Sequence, residues 1–329
     1  MPVHDLGYRD WRGDRTRQWS RPYFIAIGGI ALIWRRKWLR LMLMLAWLPI
    51  FVPAAGIFTF EYSAGDPEIG FFAADFIAGP MGRPELAMKL VDDPNAARHD
   101  VWALLIMSFF RYPQLSAMVL LVGLIAPMLI SYDLRSRAYL LYFSRPLNAY
   151  EYMIGKAAVM WFFLGMIVTV PALALYAIGV MLSPDLSVVT QTWDIPVRII
   201  GASFVLLVPT TALAMCYSAC TSESRYAAFS WFSTWILGFV AYQILTFMGT
   251  SVRGRRGRRG PPSDLLEAGI DFDRWRLLSP YHTLGKVQSW VFGLDTTPGA
   301  VLPAIGLLVM VTVVGAWVIR RRIDATLSR

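Results

Sequence analysis

Residues 157–184 read AAVMWFFLGMIVTVPALALYAIGVMLSP, and no side chain among them is charged. A bilayer core of ~30 Å needs about 20 helical residues at ~1.5 Å each, and a charge inside such a span is costly. A buried helix of a soluble domain does not run this long without charge. The same test is met at 41–60, 113–132, 199–222, 226–252 and 296–319. Six uncharged stretches of this length identify an all-α membrane protein with six transmembrane helices. Composition agrees: 56% of residues are hydrophobic, only 16% are charged, and the mean hydropathy is +0.49.

Orientation follows from the charges between the spans. The flanks 1–40, 133–156, 223–225 and 320–329 carry far more Lys and Arg than Asp and Glu, whereas the alternate flanks do not. Basic residues collect on the cytoplasmic side of short loops, so both termini are expected inside. This divides the chain into a cytoplasmic lead (1–40), a six-span domain (41–319) and a basic tail (320–329). The external segments are then 61–112, 185–198 and 253–295. Arg253, Arg255, Arg256, Arg258 and Arg259 fall on the outer side and are read as a solvated loop near lipid phosphates. No aromatic residues interleave with them, so no nucleic-acid partner is expected.

Before the first span, Tyr23–Trp34 is apolar but too short to cross, and it ends in Trp34-Arg35-Arg36-Lys37-Trp38. Aromatic and basic residues together favour the headgroup zone, so an interfacial helix is expected there, in contact with membrane lipids. The first 22 residues are polar and basic and lack a cleavable-signal pattern, so insertion is expected to rely on the spans. Ser279–Pro280 is a helix-start signal, and Leu284, Val287 and Val291 share one face before Gly293. A helical element is therefore expected before the last span. The acidic 61–112 segment, rich in Gly and Pro, is expected to be loop-rich. Within it Val101–Phe110 is apolar, and the sequence leaves open whether it is a surface helix or an extension of span two.

Prolines at 49, 53, 127, 171, 209 and 303 predict kinks. Cys216 and Cys220 share a helix face and read as small packing residues. His4, His99 and His282 are scattered, and no metal or catalytic pattern is present. No phosphate-binding loop occurs either: Gly155–Lys156 is followed by Ala157, and Gly285–Lys286 by Val287. The chain is thus read as not an enzyme, binding no cofactor itself. An intramembrane enzyme is a weak rival for want of a catalytic constellation. A second rival is a non-transport membrane module that binds a partner through 61–112.

The stretch between spans two and three, residues 133–156, reads DLRSRAYLLYFSRPLNAYEYMIGK. Leu134, Ala138 and Leu141 recur at helical spacing while Arg135 and Arg137 fall off that stripe, so a short amphipathic helix is expected, stopped by Pro146. Asn148 with Glu151 three residues on has the layout of a capping box. This segment resembles the cytoplasmic loop of ABC transporter permeases of the type-2 exporter family. There, an acidic residue ends span two, and a short helix, a Ser-Arg-Pro-Leu-like turn, then Glu and Gly-Lys lead into span three. Asp133, Ser144, Arg145, Pro146, Leu147, Glu151, Gly155 and Lys156 occupy those places. The resemblance implies a dimer with a second permease copy or paralogue, clamped by ABC ATP-binding subunits that hold ATP and magnesium. It implies that Asp133, Arg135, Arg137, Ser144, Arg145, Pro146, Glu151 and Lys156 couple the chain to that ATPase, in a cell inner membrane.

Overall fold

The computed structural model describes residues 20–63, 67–138, 142, 147–183, 187–255, 275–295 and 298–327. Among them the secondary structure is helical throughout, with no strand. The helices are α1 (Arg21–Trp34), α2 (Lys37–Leu45), α3 (Phe51–Ser63), α4 (Pro67–Ala78), α5 (Pro84–Asp92), α6 (Pro94–Leu115), α7 (Ala117–Leu129) and α8 (Ser131–Ser136). They continue as α9 (Ala149–Ile167), α10 (Thr169–Leu182), α11 (Ser187–Gln191), α12 (Ile195–Cys220), α13 (Ser224–Arg255), α14 (Pro280–Val291) and α15 (Pro298–Leu327).

Among the described residues six segments are long and apolar enough to cross a membrane: Lys37–Tyr62, Ala117–Ser136, Ala149–Leu182, Ile195–Cys220, Ser224–Thr246 and Val301–Ala325. The chain has a multi-pass, all-α membrane-protein fold. Three of these segments are compound, and proline chemistry explains the joints in the first and third. A proline ring clashes with the carbonyl four residues earlier and offers no N–H. Pro49 acts on Leu45, where α2 ends, and Pro171 acts on Ile167, where α9 ends.

Burial ranks the spans. In the second, 67% of the most apolar stretch is buried inside the chain, against 11% in the fifth and 17% in the sixth. α12 runs through the middle, packed on α7, α9, α10, α13, α14 and α15. α1 packs along α9, where a Cβ on Gly29 would meet Val159 at 2.6 Å and one on Gly155 would meet Ile25 at 2.8 Å. Glycine on each helix permits that approach. Tyr23, Phe24, Ile27 and Leu32 of α1 remain exposed.

The segment 61–112 is helical rather than loop-rich. α6 is one helix from Pro94 to Leu115, started by Asp93, whose carboxylate accepts from the backbone N–H of Asn95 and Ala96 at 3.0 and 3.2 Å. Val101–Phe110 lies within it, turned into the bundle: Trp102, Ile106, Phe109 and Phe110 are fully buried. α6 and α7 follow one another with a break at Ser116 (φ −135°, ψ −70°). Glycine and proline spacing suggested loops because these helices are short. Their stability comes from packing on the spans, which propensity does not report.

The helices also run past the uncharged stretches and carry charge into the bundle, much of it in ion pairs. At the end away from 133–156, Glu61 accepts from Trp102 Nε1 at 2.9 Å, Ser183 Oγ at 3.2 Å and Arg98 Nη2 at 3.3 Å. Beside this network His99 Nε2 lies 3.0 Å from an Asp194 oxygen and Nδ1 lies 3.4 Å from Asp100. Lys89 and Arg198 donate to Asp100 and Asp194, each at 2.6 Å. Burial pulls both carboxyls upward, yet hydrogen bonds and charge from His99, Lys89 and Arg198 outweigh it and hold both below the ordinary range.

Two outcomes follow. Glu61→Leu strands Arg98 in the bundle and is expected to destabilise by about 3–5 kcal/mol, and adding Arg98→Met should recover part of the loss in thermal melts. A carboxyl held low in the folded chain contributes stability that is present above its unfolded value and disappears as pH falls through the folded value. Melting temperature is therefore expected to decline below about pH 4, and less steeply in Asp194→Asn.

Candidate functional site

The segment between spans two and three returns on itself so that its two ends meet. Asp133 closes span two and Lys156 sits one turn beyond Tyr152 in α9. Their side chains pair at 2.7 Å, and both are buried, 9% and 6% exposed. Tyr152 adds its hydroxyl proton to the same Asp133 oxygen at 2.7 Å. Tyr142 and Tyr152 stand with ring centroids 5.6 Å apart, and the Lys156 ammonium lies 5.4 Å from each. One carboxylate thus receives a cation and a phenol, while two aromatic faces supply the ammonium with further favourable charge. Burial, then the Asp133 charge, push the Tyr142 phenol above its usual range, so it stays neutral.

A second anchor fixes the same end. The Ser218 hydroxyl accepts from the backbone N–H of Ser131 at 2.9 Å, and Ser131 donates to the Ser218 carbonyl at 2.8 Å. Spans two, three and four are therefore cross-tied within one helical turn of Asp133. α9 begins with the expected box, in which Glu151 accepts from the Asn148 backbone N–H at 3.0 Å. Arg21 of α1 approaches that Glu151 to 3.8 Å.

The amphipathic helix expected over Asp133–Arg145 is not continuous. α8 ends at Ser136, and Arg137 adopts a left-handed conformation (φ 54°). The Ala138 N–H returns to the Asp133 carbonyl at 3.0 Å, which closes the helix. Arg135 is exposed and reaches Glu223 at 3.6 Å, and Arg137 is exposed beside it. Ser144, Arg145 and Pro146 lie outside the described residues, as do Arg256, Arg258 and Arg259 of the basic run.

The eight residues singled out by sequence thus fall into distinct groups. Asp133 and Lys156 pair with each other inside the chain, at the base of the segment. Arg135 and Arg137 are the outward-facing charges, and Glu151 is a cap. Tyr142, Tyr152, Ser131 and Ser218 were not foreseen. Tyr152 lies one turn before Lys156 and so shares its face, a spacing visible in the sequence; the serine contact needed the packing of span four. Cys216 is half-buried and Cys220 exposed, both as free thiols, and among the described residues no cluster of three or more His, Cys, Asp or Glu is placed to hold a metal ion. No protein-family model matches the chain, and no curated protein matches it either.

The two ion pairs at this end should separate experimentally. Asp133→Asn or Lys156→Met each leaves a buried charge and is expected to cost about 3–5 kcal/mol, with a clear coupling energy in the double-mutant cycle. The exposed Arg135–Glu223 pair should give a coupling within about 1 kcal/mol.

Proposed function

We propose that the chain is the membrane-spanning permease subunit of an ATP-driven ABC transporter, an exporter, working with a separate ATP-binding subunit. The supporting observation is mechanical. The 133–156 segment is joined to spans two and three by a buried charge pair and to span four by the serine contact. Displacement of Asp133 or Lys156 at the base of this segment would act on spans two, three and four together. Arg135 and Arg137 stand outward at the same place, suited to pairing across a polar interface. In this reading 133–156 and both termini lie in the cytosol, ATP and magnesium sit in the partner, and a second permease copy or paralogue completes the complex in the inner membrane.

The rival reading, an anchor that recruits a partner through 61–112, draws on the exposure of Phe71, Phe72 and Met88 on α4 and α5. Val101–Phe110 is already used inside the bundle, so that surface is small.

Solubilisation in mild detergent should recover an ATPase subunit with this chain. Arg135→Glu with Arg137→Glu should weaken that association. Lys156→Met should preserve it while lowering ATP hydrolysis coupled to transport. Recovery of no ATPase, or unaltered coupling in all these variants, contradicts the permease reading.

A further inference from the structure

At Gly238 the backbones of α13 and α14 nearly touch: a Cβ there would meet the Leu278 carbonyl at 2.7 Å and Pro280 at 2.9 Å. This approach brings Phe239 and Tyr242 of α13 onto Tyr281 and His282 of α14. The Tyr242 and His282 ring centroids are 3.7 Å apart, and Phe239 lies nearly parallel to His282 at 5.8 Å. Arg111 of α6 completes the cluster. Its guanidinium carbon is 3.5 Å from the centre of the Tyr281 ring, and Nη1 donates to the Tyr281 carbonyl at 2.7 Å and to Gln114 Oε1 at 3.4 Å.

Two features of this cluster call for a ligand. Arg111 is half-buried, yet among the described residues no carboxylate lies within ion-pair distance of it, and its Nε and Nη2 have no acceptor. By contrast, the buried cations Arg98 and Lys156 each face a carboxylate. His282 adds no charge of its own: burial, then the charges of Arg111 and Arg276, push its imidazole down to about 4. Among the described residues Arg111 therefore has a carbonyl, an amide oxygen and an aromatic face as partners but no carboxylate, and a buried cation is costly to leave without one. The second feature is the neighbouring surface. Ile236, Leu237, Val240 and Ile244 of α13 face outward, on the span least covered by the rest of the chain.

We propose that Arg111, Tyr242, Tyr281 and His282 form a headgroup site for an anionic amphiphile whose apolar tail lies along the outward face of α13. The anion supplies the missing partner for Arg111 through charge-assisted hydrogen bonds, and the rings wall the headgroup. As the cargo site of an exporter this rests on the permease reading; as a binding site it does not.

The full chain in phosphatidylcholine nanodiscs, titrated with a fluorescent-tailed phosphatidate, tests the assignment without an ATPase, so failure of the permease reading does not affect it. Saturable binding is expected, weakened about tenfold or more by Arg111→Gln and far less by Arg111→Lys. A phosphatidylcholine probe with the same tail should not saturate, and inorganic phosphate should not displace the bound probe. Arg36→Gln, at the basic elbow before span one, should leave affinity within about twofold. Should Arg111→Gln fail to fold, Tyr242→Leu carries the same expectation of weakened binding. Unchanged affinity in the folded variant, equal binding of the phosphatidylcholine probe, displacement by phosphate, or a loss centred on Arg36 overturns the proposal.

Discussion

A charge can be carried into an apolar helix bundle only with its partner, and this constraint organises both ends of the molecule. At one end Asp133 and Lys156, at opposite termini of a 24-residue segment, meet at 2.7 Å with Tyr152 on the same oxygen. At the other, Glu61 gathers Arg98, Trp102 and Ser183. Removal of either partner strands its counterpart where hydration is poor, so each pair fixes the relative height of the helices that bear it. The apolar lengths between are interchangeable by comparison, since one lipid-facing leucine packs much like another.

The two ends differ in what their pairs join. The Glu61 and His99 networks connect α3, α5, α6, α10, α11 and α12, and Arg198 extends the network to the Val291 carbonyl of α14. That end is held by a buried ion pair together with many further ties spread over many short helices. The Asp133 end is held by a few ties concentrated among spans two, three and four. Concentrated ties suit an end that transmits force, and distributed ties suit one that keeps several helices in register. Spans five and six contribute little to either, consistent with their exposed faces meeting lipid or a second chain.

Length and charge made the spans legible from sequence, because a bilayer imposes one rule on every crossing. The helix starts at Asn148 and Ser279 were legible because their signals are local: a capping box at Asn148 and a proline in the first turn after Ser279. Local chemistry also misled. Glycine and proline in 61–112 spoke for loops, while burial of Trp102, Phe109 and Phe110 made helices of it. The periodicity of Leu134, Ala138 and Leu141 spoke for a helix that Arg137 interrupts, because the Asp133 carbonyl is drawn into a closing turn. The surroundings of Arg111 were invisible, since Tyr281, whose ring and carbonyl it meets, lies far along the chain. Contacts of that separation leave no mark in one sequence.

The account depends most on which side of the membrane bears the 133–156 segment. In a background with Cys216 and Cys220 replaced, Ser136→Cys treated with a membrane-impermeant maleimide in intact cells reports this directly. The residue is exposed, so access decides the outcome. The account expects no labelling until the membrane is permeabilised, with an Arg83→Cys control labelled from outside. Labelling of Ser136→Cys in intact cells would place the segment on the outer surface and contradict the ATPase-coupled mechanism.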